Sequence, residues 1–276
     1  MKAEIVFLGS GTSMGVPTLG CRCAVCTSAD ARNRRTRPSI AVIWTGRDGA
    51  QHTVVIDTGP DFRHQALRED IRHVDAVLYT HAHSDHILGM DDLRPLSFQH
   101  RPAMLPLYAD DATAAVLRRI FDYTFAKDAT YPTRARVELN RLEGEESAKI
   151  HGVLFQRVPL LHGTMQVAGF RFGKAAYLTD MSSIPETSLP LLEGLDVLIL
   201  DALRPQPHPS HANLCEALAW VERIQPKRGW FTHMSHEVDH EKTENAFPRH
   251  VQLGYDGLRI QFELDAVSRQ ETRQRE

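Results

Sequence analysis

The sequence predicts an α/β protein in which buried strands form a sandwich of sheets and present polar residues along one rim. Short apolar runs recur along the chain and end in histidine or aspartate, as in AVLYTH (76–81), YLTD (177–180) and FTH (231–233). Two longer stretches, 110–125 and 211–224, carry apolar residues at helical spacing. Because α/β proteins place functional groups at strand ends, this pattern favours a site at one edge of the sheets.

The order of the predicted elements agrees with this architecture. An N-terminal strand, EIVFL (4–8), precedes a long loop rich in glycine, cysteine and arginine that ends near residue 38. Two paired strands and a short helix follow, and after residue 137 strands dominate again. The remaining strands are predicted at 39–44, 52–57, 76–80, 137–142, 152–160, 166–173, 175–180, 196–203, 228–234 and 258–263, and the short helix at 61–69.

The composition bounds the class of protein. The 276 residues are 42% hydrophobic and no Pro/Ser-rich linker divides them, so we expect a single domain over 1–265 and a polar tail over 266–276. A net charge of −3 and 7% aromatic residues do not favour binding to nucleic acid or to an anionic membrane. The apolar runs are too short for a signal peptide or a membrane span, so we expect a cytoplasmic protein.

The segment THAHSDHILGM (80–90) concentrates four side chains that bind protons or metals: His81, His83, Asp85 and His86. Groups this close would repel or desolvate one another without a cation, and imidazole and carboxylate are usual ligands of zinc, iron and manganese. The spacing lets two histidines bind one ion while Asp85 and His86 turn toward a second. Further ligand candidates follow apolar strands, namely His162, Asp180 and His233.

A cysteine cluster indicates a second metal site. Three of the four cysteines lie within six residues, at Cys21, Cys23 and Cys26, which points to metal or redox chemistry in a reducing compartment. Three thiolates need a fourth ligand for a tetrahedral zinc site. Cys215 is one candidate, but its phase in the 211–224 helix suits burial. We favour His236, since it lies three residues after His233 and one segment then serves both sites; free thiols are the alternative.

The HxHxDH motif resembles the signature of the metallo-β-lactamase superfamily, and the strand-then-ligand order along the chain fits it. That resemblance implies an αββα sandwich with two metal ions at one rim. It also implies that Asp57, in VVIDTGPD, supports the HxHxDH loop by orienting a ligand histidine. By the same resemblance one ion would be held by His81, His83 and His162, the other by Asp85, His86 and His233, and Asp180 would bridge both.

The stretch FLGSGTSMGVPTLGCRCAVC (7–26), followed by ARNRRTRPS (31–39), resembles the PhnP-type branch of that superfamily. Members of the branch are phosphodiesterases that carry an extra zinc site, here a Cys-rich loop at about 20–37. The resemblance covers about residues 4–263 and implies two active-site ions, manganese or zinc, and one structural zinc. A hydroxide bridging the two ions would attack a small cyclic, phosphoribosyl-like phosphate. Homodimers are common among such relatives.

His211, in HPSHANL (208–214), matches a family histidine that acts as general acid or phosphoryl contact, and we expect it to be catalytic together with Asp85. It stands at the start of the predicted 211–224 helix, where the local field favours anions. A helix-capping role is the alternative, and His208 is near enough to take its place. A basic run is expected to be either a solvated loop or a rim that steers phosphorylated substrates; it comprises Arg32, Arg34, Arg35 and Arg37.

Three other functions stay open. The GTS-x-GVP stretch is similar to that of tRNA 3′-processing endonucleases, but the chain has no long basic arm to reach a tRNA. PqqB-like metabolite-binding proteins share a similar Cys loop, and other relatives hydrolyse esters or lactones. An enzyme is favoured over a metabolite-binding protein because every ligand position of the motif is filled. The resemblance carried by the Cys cluster and His211 favours a small-molecule phosphodiester over an ester or lactone as the substrate.

Overall fold

The computed structural model describes residues 1–47, 49–126 and 131–264. Two mixed sheets pack face to face, and helices cover the outer face of each sheet. The predicted αββα sandwich is therefore confirmed. The proposed polar tail, 266–276, lies outside the described residues.

The first sheet is formed by the N-terminal half of the chain and one C-terminal strand. Among the described residues it contains β1 (Lys2–Gly9), β2 (Ser39–Thr45), β3 (Gln51–Ile56), β4 (Ala76–Leu78), β5 (Leu105–Ala109), β6 (Val137–Arg141) and β14 (Arg259–Glu263). Their spatial order is β14-β1-β2-β3-β4-β5-β6. The pairs from β3 to β6 are parallel, and the others are antiparallel.

The second sheet follows in sequence. In the described ranges it contains β7 (Ser147–Ile150), β8 (Val153–His162), β9 (Met165–Phe172), β10 (Ala175–Leu178), β11 (Val197–Asp201), β12 (Arg228–Thr232) and β13 (Val251–Leu253). The spatial order is β13-β12-β11-β10-β9-β8-β7, and β10 to β13 are parallel. Because parallel strands end at the same edge, the loops that follow β10, β11 and β12 meet at one rim.

The helices are α1 (Phe62–Arg68), α2 (Ser84–Ile87), α3 (Arg94–Ser97), α4 (Asp111–Ile120), α5 (Asp122–Phe125), α6 (Leu214–Ile224) and α7 (His240–Glu244). The helix predicted at 110–125 is broken at Phe121 into α4 and α5. The helix predicted at 211–224 begins only at Leu214, because Asn213 caps it and accepts hydrogen bonds from the first turn. Over the described ranges, no helix combines the length and apolar character needed to cross a membrane.

Three apolar layers hold the sandwich together. Between the sheets, large aromatic side chains such as Phe7, Trp44, Phe155 and Phe172 are fully buried. A second layer joins the outer face of the second sheet to α6, and a third joins the first sheet to α1 and α4. Burial of this much apolar surface fixes both sheets, and so it fixes the rim on which their loops meet.

Candidate metal centre

The HxHxDH loop leaves β4 and is anchored from beneath by a buried aspartate. Asp57 Oδ1 accepts a hydrogen bond from the Thr80 backbone N–H at 2.8 Å, and Oδ2 accepts one from the Thr80 hydroxyl at 2.8 Å. The same Oδ2 lies 2.7 Å from Nδ1 of His86. This contact fixes the His86 ring and leaves Nε2 for another partner, the role predicted for Asp57.

The second sheet brings three further side chains to the loop. His162 ends β8, and its Nδ1 lies 2.6 Å from the backbone oxygen of Ser210, which orients the ring. Asp180 follows β10 and His233 follows β12, both with left-handed backbone, at φ 52° and 61°. Non-glycine residues adopt this region at a cost of about 1–2 kcal/mol. The turn redirects each side chain from its strand into the site.

The predicted ligands lie in two groups that share one carboxylate. The first group contains His81, His83, His162 and Asp180, and the second contains Asp85, His86, Asp180 and His233. Within each group the candidate ligand atoms are all within 4.8 Å of one another. Asp180 Oδ1 lies 3.3 Å from His86 Nε2, and its Oδ2 lies 3.2 Å from His233 Nε2 and 3.9 Å from His81 Nε2. The side chain therefore stands between the groups, as expected of a bridging ligand.

The electrostatics of the site fit divalent cations. Burial would raise the pKa of Asp180, but His233 and His86 hold it well below its usual range. Burial likewise opposes the charged form of His233, yet Asp180 and Asp85 raise its pKa to about 9. Among the described residues, five buried atoms of the ligand groups have no hydrogen-bond partner: His81 Nε2, Asp85 Oδ2, His86 Nε2 and both ring nitrogens of His233. Buried lone pairs and carboxylates of this kind are satisfied by metal ions.

His211 stands beside the cluster, but not where the sequence placed it. It precedes the capping residue Asn213 and lies outside α6, so the predicted position in the field of the helix start is wrong. Its Nδ1 lies 2.8 Å from Asp201 Oδ2, and that oxygen also accepts the Met181 N–H at 3.0 Å. Asp201 thus fixes the ring. Sequence spacing does not identify Asp201 as the partner of His211, because the two residues are ten positions apart and His211 lies in a loop.

The histidine rings at the rim form a continuous set. His211 stacks on His233 with ring centroids 4.7 Å apart, and its centroid is 4.5 Å from that of His162. His208, the alternative candidate, is 5.1 Å from His211 and more exposed. The imidazole of His211 therefore lies against one candidate ligand from each metal group.

The four residues predicted to bind structural zinc also come together. His236 Nδ1 lies 3.2 Å from Cys21 Sγ, 3.5 Å from Cys23 Sγ and 3.6 Å from Cys26 Sγ. Tetrahedral zinc with ordinary bond lengths separates nitrogen and sulfur ligands by about 3.6 Å. A backbone hydrogen bond from Cys26 is the main cause that lowers the pKa of Cys23 to about 6, which favours the thiolate.

Cys215 takes no part in this site. It lies in α6 with its side chain exposed, so the predicted burial of Cys215 is wrong. The buried stripe of α6 is carried instead by Leu214, Ala217 and Val221, whose spacing of three and four residues defines the helix face.

The basic run divides into different environments. Arg32 pairs with Asp30, and Arg37 pairs with Asp61. Arg34 is exposed, whereas Arg35 is only 1% exposed and is the largest polar side chain in the core. A run of four arginines is therefore neither a uniform solvated loop nor a uniform basic rim.

The fold and the two ligand groups define a class of protein. A family model described as the beta-lactamase superfamily domain matches residues 52–234, which include the ligand positions from His81 to His233. The chain belongs to the metallo-β-lactamase superfamily. Within the superfamily it is a member of the PhnP branch. A solved structure described as a new diphosphatase from the PhnP family is 49% identical, with a TM-score of 0.88, over 96% of this chain and 98% of that one.

Two sequence relatives carry different names. The octanoyltransferase of Porphyromonas gingivalis is 35% identical over 255 residues, which is 92% of this chain but 50% of that protein. The chain thus spans about half the length of this relative. Coenzyme PQQ synthesis protein B of Methylorubrum extorquens is 30% identical over 232 residues, covering 72% of each chain.

Proposed function

We propose that this protein is a phosphodiesterase that hydrolyses a small-molecule phosphodiester at a dinuclear metal centre. The observation that carries the proposal is the pair of ligand groups sharing Asp180, with the His211–Asp201 pair on the same rim. A cyclic, phosphoribosyl-like phosphate is the favoured substrate class. The net charge of −3 does not favour nucleic acid as the substrate.

The residues would divide the metal binding as the resemblance implies. His81, His83 and His162 would hold one ion, Asp85, His86 and His233 would hold the other, and Asp180 would be shared by the two groups. Divalent ions bound there supply positive charge to the phosphoryl group and lower the pKa of a water nucleophile toward neutrality. Asp57 and the Ser210 backbone keep His86 and His162 in their binding orientation.

His211 is assigned to the leaving group. Asp201 engages Nδ1, so Nε2 is the nitrogen left to donate a proton to a departing alkoxide or a hydrogen bond to a phosphoryl oxygen. The carboxylate also stabilises the ring when it is protonated. Because the same ring lies against His162 and His233, a phosphoryl group held at the ligand clusters is within its reach.

A cavity of about 190 Å³ opens beside His211. The residues that line it include the hydroxyl-bearing Thr12 and Ser13 as well as Arg204 and His208. This volume suits a compact ligand, and the hydroxyl, guanidinium and imidazole groups suit a phosphorylated one. We assign the organic part of the substrate to this cavity.

A diphosphatase activity is the second candidate. It is favoured by the 49% identical structure described as a diphosphatase. Cleavage of a phosphoanhydride breaks a P–O bond just as cleavage of a phosphodiester does, but its leaving group is a phosphate that needs little protonation. The two candidates therefore place different demands on His211.

The proposal is tested by hydrolysis assays on protein stripped of metal and reloaded with manganese or zinc. We expect metal-dependent turnover of bis(p-nitrophenyl) phosphate and of a cyclic ribose phosphate, and its loss in Asp85→Asn. His250→Asn, which changes an exposed histidine, serves as the matched control and should keep wild-type rates. Phosphate release from a nucleoside diphosphate without diester cleavage would favour the second candidate. Absence of both diester cleavage and phosphate release, in metal-loaded protein, would contradict a phosphoryl-transfer function.

A further inference from the structure

A second group of histidines surrounds a buried carboxylate at the opposite end of the sandwich. Asp75 immediately precedes β4, whereas His81 follows it, so the two lie up to about 20 Å apart along an extended chain. Three imidazoles face Asp75, those of His52, His73 and His151. None of these four residues belongs to the ligand groups of the rim.

The group joins the two sheets. His52 lies in β3, and Asp75 and His73 lie in the connection that leads into β4, all in the first sheet. His151 lies in the turn between β7 and β8 of the second sheet. A metal ion bound by His52, Asp75 and His151 would therefore cross-link the two sheets.

The distances around Asp75 match those between ligands of one metal ion. Asp75 Oδ1 lies 3.0 Å from His151 Nε2, 3.2 Å from His73 Nε2 and 3.4 Å from His52 Nδ1. Nitrogen and oxygen ligands of a tetrahedral zinc ion, each about 2.0–2.1 Å from the metal, are about 3.3 Å apart. One ligand atom each from His52, Asp75 and His151 lies within 4.8 Å of the other two, so these three residues can share an ion, and His73 contacts the same carboxylate oxygen.

The carboxylate is held in its charged form and its orientation is fixed. Asp75 is buried, and its Oδ2 accepts the Thr53 backbone N–H at 2.7 Å, which turns Oδ1 toward the imidazoles. Burial would raise the pKa of Asp75, but the Thr53 N–H and the neighbouring His73 and His151 lower it below its usual value. A negative charge at the centre of three imidazoles attracts a cation.

We propose that His52, Asp75 and His151, with His73 holding the Asp75 carboxylate, form an additional metal site that clamps the two sheets at the end remote from the active site. Imidazole donors with one carboxylate select borderline divalent ions such as zinc, cobalt or nickel over magnesium or calcium. His52 and His151 are stacked with ring centroids 3.9 Å apart. The ring planes are 15° apart, and the in-plane lone pairs of stacked rings do not converge on one ion, so metal binding requires the half-exposed His151 ring to turn and move outward.

Two histidines of the cluster are half exposed and can be replaced without disturbing the core. His151 has φ 45°, and asparagine tolerates that left-handed conformation, so His151→Asn removes the imidazole without straining the turn. His73 is also half exposed, and His73→Gln removes the imidazole that holds the Asp75 carboxylate without opening the core. His250→Asn, at an exposed position outside the cluster, is the matched control.

The experiment uses the holoenzyme with its rim and cysteine sites already filled. Zinc is titrated by isothermal calorimetry, bound metal is counted after gel filtration, and thermal unfolding is followed with and without zinc. We expect one additional zinc per chain and a higher Tm in the wild type and in His250→Asn. In His151→Asn and His73→Gln we expect about 10–100-fold weaker binding and no zinc-dependent rise in Tm.

Hydrolytic activity distinguishes the additional metal site from the ligand groups at the rim. Because the cluster lies at the other end of β4, both variants should hydrolyse the substrate at the wild-type rate. Equal zinc binding in wild type, His151→Asn and His73→Gln would overturn the proposal, as would the absence of an additional zinc in the wild type. Neither result bears on the phosphodiesterase activity, which is measured here on manganese-loaded enzyme before zinc is titrated.

Discussion

Arg35→Met should destabilise the protein, although Arg35 lies in the loop that connects β1 to β2. The Arg35 guanidinium donates to the backbone oxygens of Ser235 at 3.0 Å and Val238 at 2.9 Å, and to Asn33 Oδ1 at 3.0 Å. Burial lowers its pKa to about 10, so the group stays charged at neutral pH. It therefore ties the cysteine loop to the segment that carries His236.

The magnitude follows from the acceptors that the variant leaves behind. Methionine fills much of the same volume but donates nothing, so the Val238 carbonyl oxygen loses its donor, at about 1–3 kcal/mol, and the Ser235 oxygen keeps only the Val238 N–H at 3.2 Å, a loss of about 1 kcal/mol. Asn33 Oδ1 keeps a second donor, the His240 N–H at 2.9 Å. Removal of a buried charge offsets part of the loss. We expect the free energy of unfolding to fall by about 2–4 kcal/mol.

Urea unfolding of the metal-loaded protein measures this change. Arg34→Met is the matched control, because Arg34 is the exposed neighbour, and its effect should stay within about 0.5 kcal/mol. If Arg35 instead steers substrates, Arg35→Met would unfold like the wild type and raise KM in a salt-dependent manner. That result would refute the structural role.

Three further predictions concern the metal centres and the leaving group. Asp85→Ala and His162→Ala should each abolish turnover, because each removes a ligand of a different metal group, while circular dichroism shows an intact fold; wild-type rates in either would contradict the dinuclear assignment. Cys23→Ser should lower Tm and remove one zinc per chain, measured by metal analysis, but leave the rim ligands and some activity in place. Loss of rim metal with unchanged Tm would instead make the cysteine site catalytic. His211→Ala should slow esters with poor leaving groups more than those with good ones, because only the former need a proton, and Asp201→Asn should show the same trend more weakly. Equal losses on both esters would argue against proton donation.

The strands and the ligand candidates could be predicted from local sequence patterns. The strands were found because apolar residues recur in short runs, and the ligand candidates because histidine and aspartate follow those runs. The αββα class came from resemblance and is confirmed by the sheets. The start of α6 was placed three residues early, since the polar HAN segment continues the helical spacing although Asn213 caps the helix.

The buried polar contacts could not be found in this way. The burial of Arg35 depends on backbone oxygens about 200 residues away, and neighbouring Arg34 has the same side chain but is exposed. Cys215 has a phase that suggested burial, yet the apolar stripe of α6 passes beside it. Each outcome depends on which surfaces pack together, and local spacing does not contain that information.

The sequence by itself determined which chemistry the chain can perform. The HxHxDH loop, the cysteine cluster and the strand-end aspartates are local features whose donor atoms are set by residue type. The tertiary structure alone decided that Asp201 orients His211 and that His151 of one sheet faces Asp75 of the other. The physical reason is that these side chains meet only after apolar burial has brought the two sheets together, so their distances are properties of the packed sandwich.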